Sequence, residues 1–509
     1  MNIKNIKLQE EKIFINEDYK DKLSNISINS GIITIGQQGS VFFLQTIRTM
    51  VLARLLSIDD FGLIAMVATI TSFASMFKDA GLSMATVQKE KITEAEISNL
   101  FWINVLISGV LGAIIMSCSP LIALFYGRPE LTLVTVVLGF SFIISGISIQ
   151  HQALLRRHMK FIALAVINIV ALISSAILTI LLAVCGINYW ALVGGALLQS
   201  IVLVFLTLFF CPWRPKKYNC STNVRFMLKF GMHLTSFDFI NYFARNLDNI
   251  LIGRIVGSEA LGLYSKAYQI VYLPITNIRV PINNVAIPVM AKIKNEIDRF
   301  KNYFYKQSMI LAIISIPLMT YIVVNSRELI LLIFGPNWLH MNMVFKTLAV
   351  AAIFQTSFGT KGPTLISLGK TKQYLQLGVI TAVLTVVGFI IGINWGVQGI
   401  ALSYIVSYYT SQIFSFAFVF KHTPINLRDV IKPLYPTVIA TAIAFICGSI
   451  LLKFVGSMHF LLIIIINFIC MYGVFVIIML IIPRGKEQIN YLFNLGIKKL
   501  SNAKKKILK

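Results

Sequence analysis

Positively charged side chains occur inside apolar segments of this 509-residue chain, where an uncompensated charge is costly. Arg48 has no acidic residue within helical reach, and it shares a predicted helical face with Gln38 and Gln45. An ionised side chain at membrane depth generally faces the protein interior or a water-filled cavity. We therefore predict that Arg48 and these two glutamines line a polar cavity.

A later apolar segment carries a similar polar face. Asp238, Asn241, Arg245 and Asp248 follow one another at helical spacing, and Asn249 comes next in the chain. Arg245 and the two asparagines are assigned to the same cavity. Asp248 lies three residues from Arg245, so mutual neutralisation is the alternative for this pair. Asp238 and Asp248 are also the candidates for binding a coupling ion.

Lys266 and Arg279 lie in an apolar segment that contains three prolines, Pro274, Pro281 and Pro288. Proline removes a backbone donor, which is tolerated at membrane depth where a segment lines a cavity or bends. Packing kinks without a functional role are the alternative explanation. Both cations are assigned to the cavity, and Lys346 and Lys361 are further candidate cations in a later segment.

Arg54 and Arg254 occupy equivalent positions in a duplicated pattern, and they complete the predicted cationic set. Either arginine could instead simply extend to the membrane interface. A cavity with several cations and few acids would bind an anion, because guanidinium groups form paired hydrogen bonds with phosphate. The neighbouring amide and hydroxyl groups suit sugar hydroxyls. The duplicated pattern is Ala53-Arg54-Leu55-Leu56-Ser57 with Phe61-Gly62-Leu63, then Gly253-Arg254-Ile255-Val256-Gly257 with Leu261-Gly262-Leu263.

The composition defines the elements that must position these residues. Hydrophobic residues make up 57% of the chain, charged residues 13%, and the mean hydropathy is +0.79, so lipid must solvate part of the surface. We expect an all-α integral membrane protein with about fourteen transmembrane helices. The predicted spans are 31–56, 58–78, 100–118, 131–151, 161–185, 188–211, 230–256, 260–288, 307–325, 340–367, 373–393, 397–420, 434–453 and 459–482.

The charge distribution predicts the orientation in the membrane. The net charge of +25 could suggest nucleic acid, but most of the 45 Lys and Arg residues fall in alternate loops and in the two ends. Only Arg128, Arg327 and Lys453 fall in the other set of loops. The positive-inside rule then places both termini in the cytoplasm, and the first 30 residues lack the apolar region of a cleavable signal peptide. The basic tail is suited to anionic membrane lipids, and no nucleic-acid partner is expected.

Two further echoes support an internal duplication: Phe125-Tyr126-Gly127 with Ile333-Phe334-Gly335, and Gly186-Ile187-Asn188 with Gly392-Ile393-Asn394. An even number of spans separates the copies, so two six-helix lobes are expected, related by an axis along the membrane normal. The predicted domains are an N-terminal cytoplasmic segment (1–30), a first lobe (31–211), a linker (212–229), a second lobe (230–420), two further helices (421–482) and a basic cytoplasmic tail (483–509).

Enzymatic features are weak. Asp59 and Asp60 could be catalytic acids in an outer loop, but after Ser57 they also read as an N-cap and the first turn of a helix. The six cysteines lack metal or redox spacing, and the chain has no Walker-type phosphate loop. A transporter without a catalytic site, metal or organic cofactor is therefore expected, with coupling to the membrane potential or to a proton or sodium gradient.

Several short motifs carry a family resemblance over roughly residues 30 to 480. The chain resembles bacterial oligosaccharide flippases of the polysaccharide-transport family, in the superfamily that also holds multidrug extruders and the lipid II flippase. The nearest resemblance is to exporters for lipopolysaccharide, colanic acid and teichuronic acid. The motifs are Ala53-Arg54-Leu55-Leu56-Ser57, Asp79-Ala80-Gly81-Leu82 with Val87-Gln88, Tyr189-Trp190-Ala191-Leu192, and Asn249-Ile250-Leu251-Ile252-Gly253-Arg254 with Leu261-Gly262-Leu263-Tyr264-Ser265-Lys266-Ala267-Tyr268.

The resemblance implies that an undecaprenyl-pyrophosphate-linked oligosaccharide moves from the inner to the outer leaflet of the bacterial cytoplasmic membrane. It implies alternating access, a cationic cavity for the headgroup, and a polysaccharide polymerase and glycosyltransferases as partners. A multidrug or cation extruder of the same superfamily is the main alternative, and it would need acids in its cavity. A membrane glycan polymerase or ligase is a third class, which normally needs a large outer loop that is absent here.

Overall fold

The computed structural model describes residues 23–79, 81–89, 92–219, 242, 246–456 and 458–494, with side chains from residue 36 onward except that of Gln88. Every regular element in these ranges is helical. The chain divides into two compact units, Met1–Gly262 (unit 1) and Leu263–Lys509 (unit 2). The finer bounds predicted for the lobes, linker and tail stay predictions.

Unit 1 is built from apolar helices, three of which match the predicted spans 58–78, 161–185 and 188–211 within one residue at each end. The helices at the predicted spans 31–56, 100–118 and 131–151 are six to eight residues longer at one end. The helices of unit 1 are α1 (Leu23–Leu55), α2 (Ile58–Asp79), α3 (Leu82–Gln88), α4 (Glu94–Ser117), α5 (Ser119–Tyr126), α6 (Leu131–Arg157), α7 (Phe161–Val184) and α8 (Tyr189–Phe210). A π-helical turn, Ile252–Val256, comes immediately before α9 (Ser258–Lys292), which continues into unit 2. The predicted span 230–256 lies largely outside the described residues.

Unit 2 continues with α10 (Ile297–Val324), α11 (Ser326–Ile333), α12 (Asn342–Ala352), α13 (Lys361–Ser367), α14 (Thr371–Gly392), α15 (Gly396–His422), α16 (Leu427–Val455) and α17 (Phe460–Ile481). Short 3-10 turns cover Pro336–Met341, Ser357–Thr360 and Ile393–Trp395. The three prolines of α9 do not interrupt that helix. The predicted span 340–367, in contrast, is broken between α12 and α13, with a bend of 42°.

The described helices suit a lipid environment. Among the described residues, nine helical stretches are long and apolar enough to cross a membrane, or ten if the bent pair Pro336–Ala352 and Ser357–Ser367 forms one span. Large apolar side chains such as Phe205 and Phe454 are 67% and 78% exposed. A water-soluble surface rarely carries so much apolar area, so hydrocarbon is the solvent for these faces. The chain is a multi-pass helical membrane protein; the count of about fourteen spans stays a prediction.

The start of α2 confirms the capping interpretation of the acidic pair. The backbone N–H of Ser57 donates to the Asp60 carboxylate at 2.9 Å, and the N–H of Asp60 donates to the Ser57 hydroxyl at 3.1 Å. This reciprocal arrangement satisfies amides that a helix start leaves without partners. Asp59 instead pairs with Arg128 at 2.6 Å and accepts a hydrogen bond from the Ser258 hydroxyl. Both acids therefore have structural partners.

The two copies of the duplicated motif pack against each other through their glycines. A Cβ atom built on Gly62 would lie 1.8 Å from the carbonyl oxygen of Ser258, and one built on Gly262 would lie 2.4 Å from that of Ile58. Each glycine thus meets the residue four positions before its counterpart in the other copy. Small residues allow this backbone-to-backbone approach between helices. We call the contact between Gly62 and Gly262 the glycine clasp.

The first part of the predicted linker is attached to unit 1. The side chain of Asn99 donates to the carbonyl of Asn219 at 2.8 Å and accepts from its N–H at 2.9 Å. Trp102 donates to the carbonyl of Lys216, and the indole of Trp213 is 3% exposed beside His151. Residues 211–219 therefore form a fixed strap on α4 and α6, and residues 220–229 lie outside the described residues.

The last two helices pack on α10 within unit 2. The hydroxyl of Tyr321 donates to the carbonyl of Ile464 at 2.8 Å, and Asn467 donates to Asn325 at 2.9 Å. Asn467 is fully buried. Interhelical hydrogen bonds of this kind hold membrane helices together where the hydrophobic effect does not. The helices without a partner in the duplication are therefore integrated into unit 2.

The glycine clasp predicts a large cost for a single methyl group. Gly62→Ala should lower the free energy of unfolding by about 1–3 kcal/mol, because the new Cβ overlaps a backbone carbonyl and both helices must separate. Gly109→Ala on α4 is the matched control, because nothing lies within 4 Å of its Cβ position and alanine favours the helix. Thermal unfolding in detergent measures both changes. Equal midpoints for the two variants would contradict the clasp.

The strap predicts a change in proteolysis. Asn99→Ala removes both hydrogen bonds to the Asn219 backbone, and trypsin should then cleave after Lys216 and Lys217 about tenfold faster, since local opening costs less. Asn168→Ala is the control, because the Asn168 side chain bonds the Leu164 carbonyl of its own helix. Mass spectrometry of timed digests gives both rates. Unchanged cleavage in the Asn99 variant would reject the strap.

Candidate functional site

A polar cavity of about 520 Å³ opens between α2, α6 and α8 in unit 1. Small hydroxyl and amide side chains make up most of its lining residues, together with four apolar residues. Small hydroxyl side chains are common where membrane helices meet, but ionisable side chains are rare there and generally mark a functional site. This wall has both. The hydroxyl and amide side chains include Ser72, Ser75, Ser141, Ser145, Ser148, Ser200, Gln152 and Gln199.

The three helices present these residues by simple periodicity. On α6, Ser141, Ser145, Ser148, Gln152 and Arg156 succeed one another every three or four residues and so share one face. The lining residues of α2 and α8 follow the same spacing. Polar stripes on three neighbouring helices enclose the cavity, while the opposite faces carry apolar side chains.

The serine hydroxyls are oriented as acceptors. Ser75 donates to the carbonyl of Ser72 at 2.7 Å, Ser145 to that of Phe142 at 3.0 Å, and Ser148 to that of Ser145 at 2.8 Å. Each hydroxyl donates its one proton within its own helix and keeps two lone pairs as acceptors. Lys78 donates to Ser145 and Gln152 donates to Ser148, which leaves one lone pair on each of these two hydroxyls. The cavity wall can therefore accept hydrogen bonds from the hydroxyls of a carbohydrate.

Lys78 supplies a positive charge and links two walls of the cavity. Its Nζ atom donates to the Ser145 hydroxyl at 2.5 Å and lies 5.7 Å from the centre of the Phe142 ring. The neighbouring Asp79 carboxylate accepts from the N–H of Ser83 at 2.9 Å and from its hydroxyl at 2.8 Å. Arg156 is a second, exposed cation at the wall. The lining residues thus carry two cations and one carboxylate.

Sequence reasoning missed this cavity because it searched for charges at membrane depth. Lys78 and Arg156 lie at the ends of their helices, and serines contribute little to a charge count. The spacing of Ser141, Ser145, Ser148 and Gln152 was the available signal. A face of small hydroxyl residues in an otherwise apolar span is visible in the sequence, but none of these residues was predicted as part of a site.

The predicted residues of α1 lie elsewhere in unit 1. Arg48 is half-buried and donates to the Thr179 hydroxyl on α7 at 3.3 Å, so it does not line this cavity. Gln45 is half-buried, and Gln38 is exposed. Arg54 is exposed and donates to the Met50 carbonyl at 2.6 Å. The structure thus places these four residues along one helix, apart from the serine-rich wall.

The second predicted polar face is only partly described. Arg245, Asn241 and Asp238 lie outside the described residues. Asp248 is 3% exposed and accepts from the N–H of Asn249 at 2.8 Å, while Asn249 itself is half-buried. The assignment of these five residues to a binding site stays a prediction.

Arg254 is exposed and stacks on an aromatic ring. Its guanidinium carbon lies 5.6 Å from the centre of the Phe125 ring, within the range of a cation–π interaction. The Gly253 backbone beside it is buried, and a Cβ there would approach the Tyr126 ring at 2.9 Å. The side chain of Arg254 thus has an aromatic partner in the structure, and its assignment to a binding site stays a prediction.

In unit 2, α9 carries Lys266 and Arg279. Lys266 donates to Gln269 one turn later at 3.3 Å, and Tyr268 stacks on Tyr272 with ring centres 5.1 Å apart. Arg279 is half-buried and lies across the break between α12 and α13, where a Cβ on Gly359 would lie 2.6 Å from its Cδ atom. Gly359 therefore makes room for the arginine at the broken span.

A second cavity, of about 690 Å³, lies between α14 and α15 of unit 2. Apolar and small side chains dominate its wall, including Ile391, Leu402, Val406 and the glycines Gly388 and Gly392. Such a wall offers few hydrogen bonds to a headgroup. The serine-rich cavity of unit 1 is therefore the better candidate for a polar ligand.

Comparison with known proteins identifies the family. Residues 51–343 match the family described as "Polysaccharide biosynthesis protein", and this match covers more than half of the chain. The chain belongs to this family. The resemblance that the sequence motifs predicted is thereby confirmed.

Individual relatives match this chain over most of its length. It is 29% identical over 332 residues to the teichuronic acid biosynthesis protein TuaB of Bacillus subtilis (strain 168), covering 65% of this chain and 69% of that protein. It is 25% identical over 382 residues to the lipopolysaccharide biosynthesis protein WzxC of Escherichia coli (strain K12), covering 74% and 77%.

Solved structures share the fold at low sequence identity. The lipid II flippase MurJ in an inward closed conformation matches with a TM-score of 0.72 at 16% identity, over 90% of this chain and 99% of that one. A multidrug resistance MATE family transporter of the MOP superfamily, in an inward-facing conformation, matches with a TM-score of 0.60 at 13% identity, over 77% and 98%. This chain therefore shares the fold of these two proteins.

Water access distinguishes a functional cavity from a lipid-covered face. Ser75→Cys in the cavity wall should react with a hydrophilic thiol reagent at least about tenfold faster than Leu106→Cys on α4, because a thiol must ionise in water to react. Both side chains are exposed in the structure, and the native cysteines are first replaced by alanine. Mass spectrometry of protein in nanodiscs gives both rates. Equal rates would mean that the cavity is dry.

Proposed function

We propose that this protein moves a lipid-linked oligosaccharide from the inner to the outer leaflet of the bacterial cytoplasmic membrane, for the assembly of a surface polysaccharide. The serine-rich cavity of unit 1 is the observation that carries the proposal. Its hydroxyl oxygens can accept hydrogen bonds from the many hydroxyl groups of a glycan. The helices that form its walls are long and apolar enough to cross a membrane. The chain acts as a transporter, without a catalytic site.

The cations of the cavity extend the proposal to the lipid carrier. Lys78 and Arg156 offer charged donors beside the hydroxyl acceptors, which suits the phosphates that join a glycan to its lipid. The family match and the fold shared with a lipid II flippase support a lipid-linked sugar as the substrate. We infer undecaprenyl pyrophosphate as the carrier, with its chain in the surrounding lipid.

Alternating access is the proposed mechanism, in a protein of about fourteen spans with two six-helix lobes and both termini in the cytoplasm. The membrane potential contributes about 2.3 kcal/mol per charge per 100 mV. An uncompensated pyrophosphate gains this energy on the outward step. If the cations of the protein neutralise the pyrophosphate, the potential instead drives the return of the empty, positively charged site. Either route works without nucleotide hydrolysis.

A multidrug extruder is the competing function within the same fold. Binding of a cationic drug requires a carboxylate that is open to the ligand. The one carboxylate of the cavity wall, Asp79, already accepts two hydrogen bonds from Ser83, and two cations share the wall with it. This balance of charges favours an anionic ligand.

Translocation in reconstituted vesicles tests the proposal directly. Protein in liposomes that contain a fluorescent lipid-linked oligosaccharide should expose the glycan to a membrane-impermeant oxidant, and Lys78→Met should slow this step about tenfold, because one charged hydrogen bond is lost. Lys160→Met is the control, since Lys160 is exposed and lies outside the cavity wall. Glycan exposure at the rate of protein-free liposomes would refute the proposal, and transport of a cationic dye instead would favour the extruder.

A further inference from the structure

Lys361 is a buried cation of unit 2 that the proposed substrate site does not use. It is 8% exposed, its amine donates to the side-chain oxygen of Gln412 on α15, and its Nζ atom lies 4.5 Å from the centre of the Phe416 ring. None of the ion pairs within the described residues involves Lys361. Burying an ammonium ion away from water costs free energy, which an amide and an aromatic ring offset only in part. Ionisable side chains that are retained inside membrane proteins generally have a function.

This amine lies at the break of a membrane span. The helix α12 ends at Ala352, a 3-10 turn covers Ser357–Thr360, and Lys361 is the first residue of α13, after a bend of 42°. Thr356 at the break is fully buried, and its hydroxyl has no hydrogen-bond partner among the described residues. Discontinuous helices in transporters commonly hold coupling ions, because unwound backbone and half-helix ends offer ligands.

Three helices contribute charged or phenolic side chains close to this break. From α9, Arg279 lies against Gly359; from α14, Tyr374 lies against Gly362; and α15 contributes Tyr408 and Tyr409 on the turn before Gln412. The guanidinium is a permanent cation, and phenols ordinarily stay neutral below about pH 10. Burial favours the neutral form of both an amine and a phenol, so it eases the loss of a proton from the amine and hinders the loss from the phenol. The amine of Lys361 is therefore the group among these side chains that can change its charge.

We propose that Lys361 is a proton-binding group that couples its protonation to the bend of the broken span and so to the transport cycle. The role of this proton in a transport cycle rests on the proposed function. In the charged state, the ammonium donates to Gln412 and packs on Phe416, which holds α13 against α15. Release of the proton to water leaves a neutral amine, and the attraction to the amide oxygen and the ring falls. The break between α12 and α13 then adopts a second angle.

The chemistry explains why lysine occupies this position. An amine can lose its proton when it is desolvated, whereas a guanidinium cannot at any accessible pH. A tethered ammonium also carries the charge of a bound monovalent cation, so the site needs no sodium ion. The coupling group is then a base in unit 2, in contrast to the acids Asp238 and Asp248 that sequence reasoning suggested.

Two substitutions should each hold the broken span in one of its two forms. Lys361→Met keeps the length of the side chain and removes the charge, so the broken span should stay in its high-pH form. Gln412→Glu gives the ammonium a carboxylate partner and should keep the span in its low-pH form. Lys346→Met is the matched control, because Lys346 lies on α12 of the same span and is exposed.

Pulsed electron–electron resonance across the break measures the bend. Spin labels at His340→Cys and Lys372→Cys, both exposed and on either side of the broken span, report its angle in nanodiscs after the native cysteines are replaced by alanine. Between about pH 6 and about pH 9, the ratio of the two distance populations should change at least about 5-fold in the otherwise native protein and in the Lys346 control. In each fixed variant it should change less than about 2-fold.

An unchanged ratio in the native background, or a full pH response in Lys361→Met, would overturn the proposal. The measurement contains no substrate, so it is independent of the flippase assay. A pH-dependent bend without glycan translocation would refute the proposed function while keeping the proton site. Translocation without a pH-dependent bend would refute the proton site alone.

Discussion

Hydrocarbon offers no hydrogen bonds, and this constraint governs where every polar group of the chain can lie. A hydroxyl or amide between membrane-spanning helices must find a partner inside the protein, or it must face water. Many serines of α2 and α6 meet this requirement by donating to carbonyls of their own helix. Their remaining acceptor capacity is collected on one wall. The same constraint that excludes polar groups from the lipid surface therefore concentrates them in a cavity that suits a glycan.

Close backbone approach is the second consequence of a lipid solvent. Without a hydrophobic driving force between helices, packing and interhelical hydrogen bonds must hold the structure together. The glycine clasp joins the two copies of the duplicated motif in this way, and the Asn467–Asn325 bond joins α17 to α10. The broken span uses the same principle in a different manner, because Gly359 admits the side chain of Arg279 where α12 ends. Small residues thus mark the places at which helices meet and at which one helix changes direction.

The sequence predicted most helix positions because each span is long, apolar and bounded by polar residues. It also predicted the capping role of Asp60 at the start of α2. It could not predict the break between α12 and α13, because residues 353–360 contain neither a proline nor a charged side chain that would end a span. The short helices α3, α5 and α11 were missed for a related reason, since seven or eight residues carry too little periodicity to distinguish them from loops.

The candidate site was harder to predict than the fold. The charge pattern predicted Arg48 as a residue of the binding site, whereas in the structure Arg48 donates a hydrogen bond to Thr179 on α7. The serine-rich wall combines residues of three helices that are far apart in the sequence. The spacing within each helix is visible in the sequence, but the proximity of the three helices is not. Lys361 was named as a candidate cation, but its burial against Gln412 and Phe416 depends on the path of the broken span. Sequence periodicity gives the face of each helix, and tertiary packing decides which faces share a cavity.

The most direct measurement is an electron cryomicroscopy structure of the protein in nanodiscs with a bound lipid-linked oligosaccharide. We expect density for at least one sugar ring between α2, α6 and α8, within hydrogen-bond distance of Ser145 or Gln152. The phosphate group should lie near Lys78 or Arg156, with the lipid chain outside the cavity. Ordered sugar density elsewhere in the protein, with only water in the serine-rich cavity, would contradict the central claim.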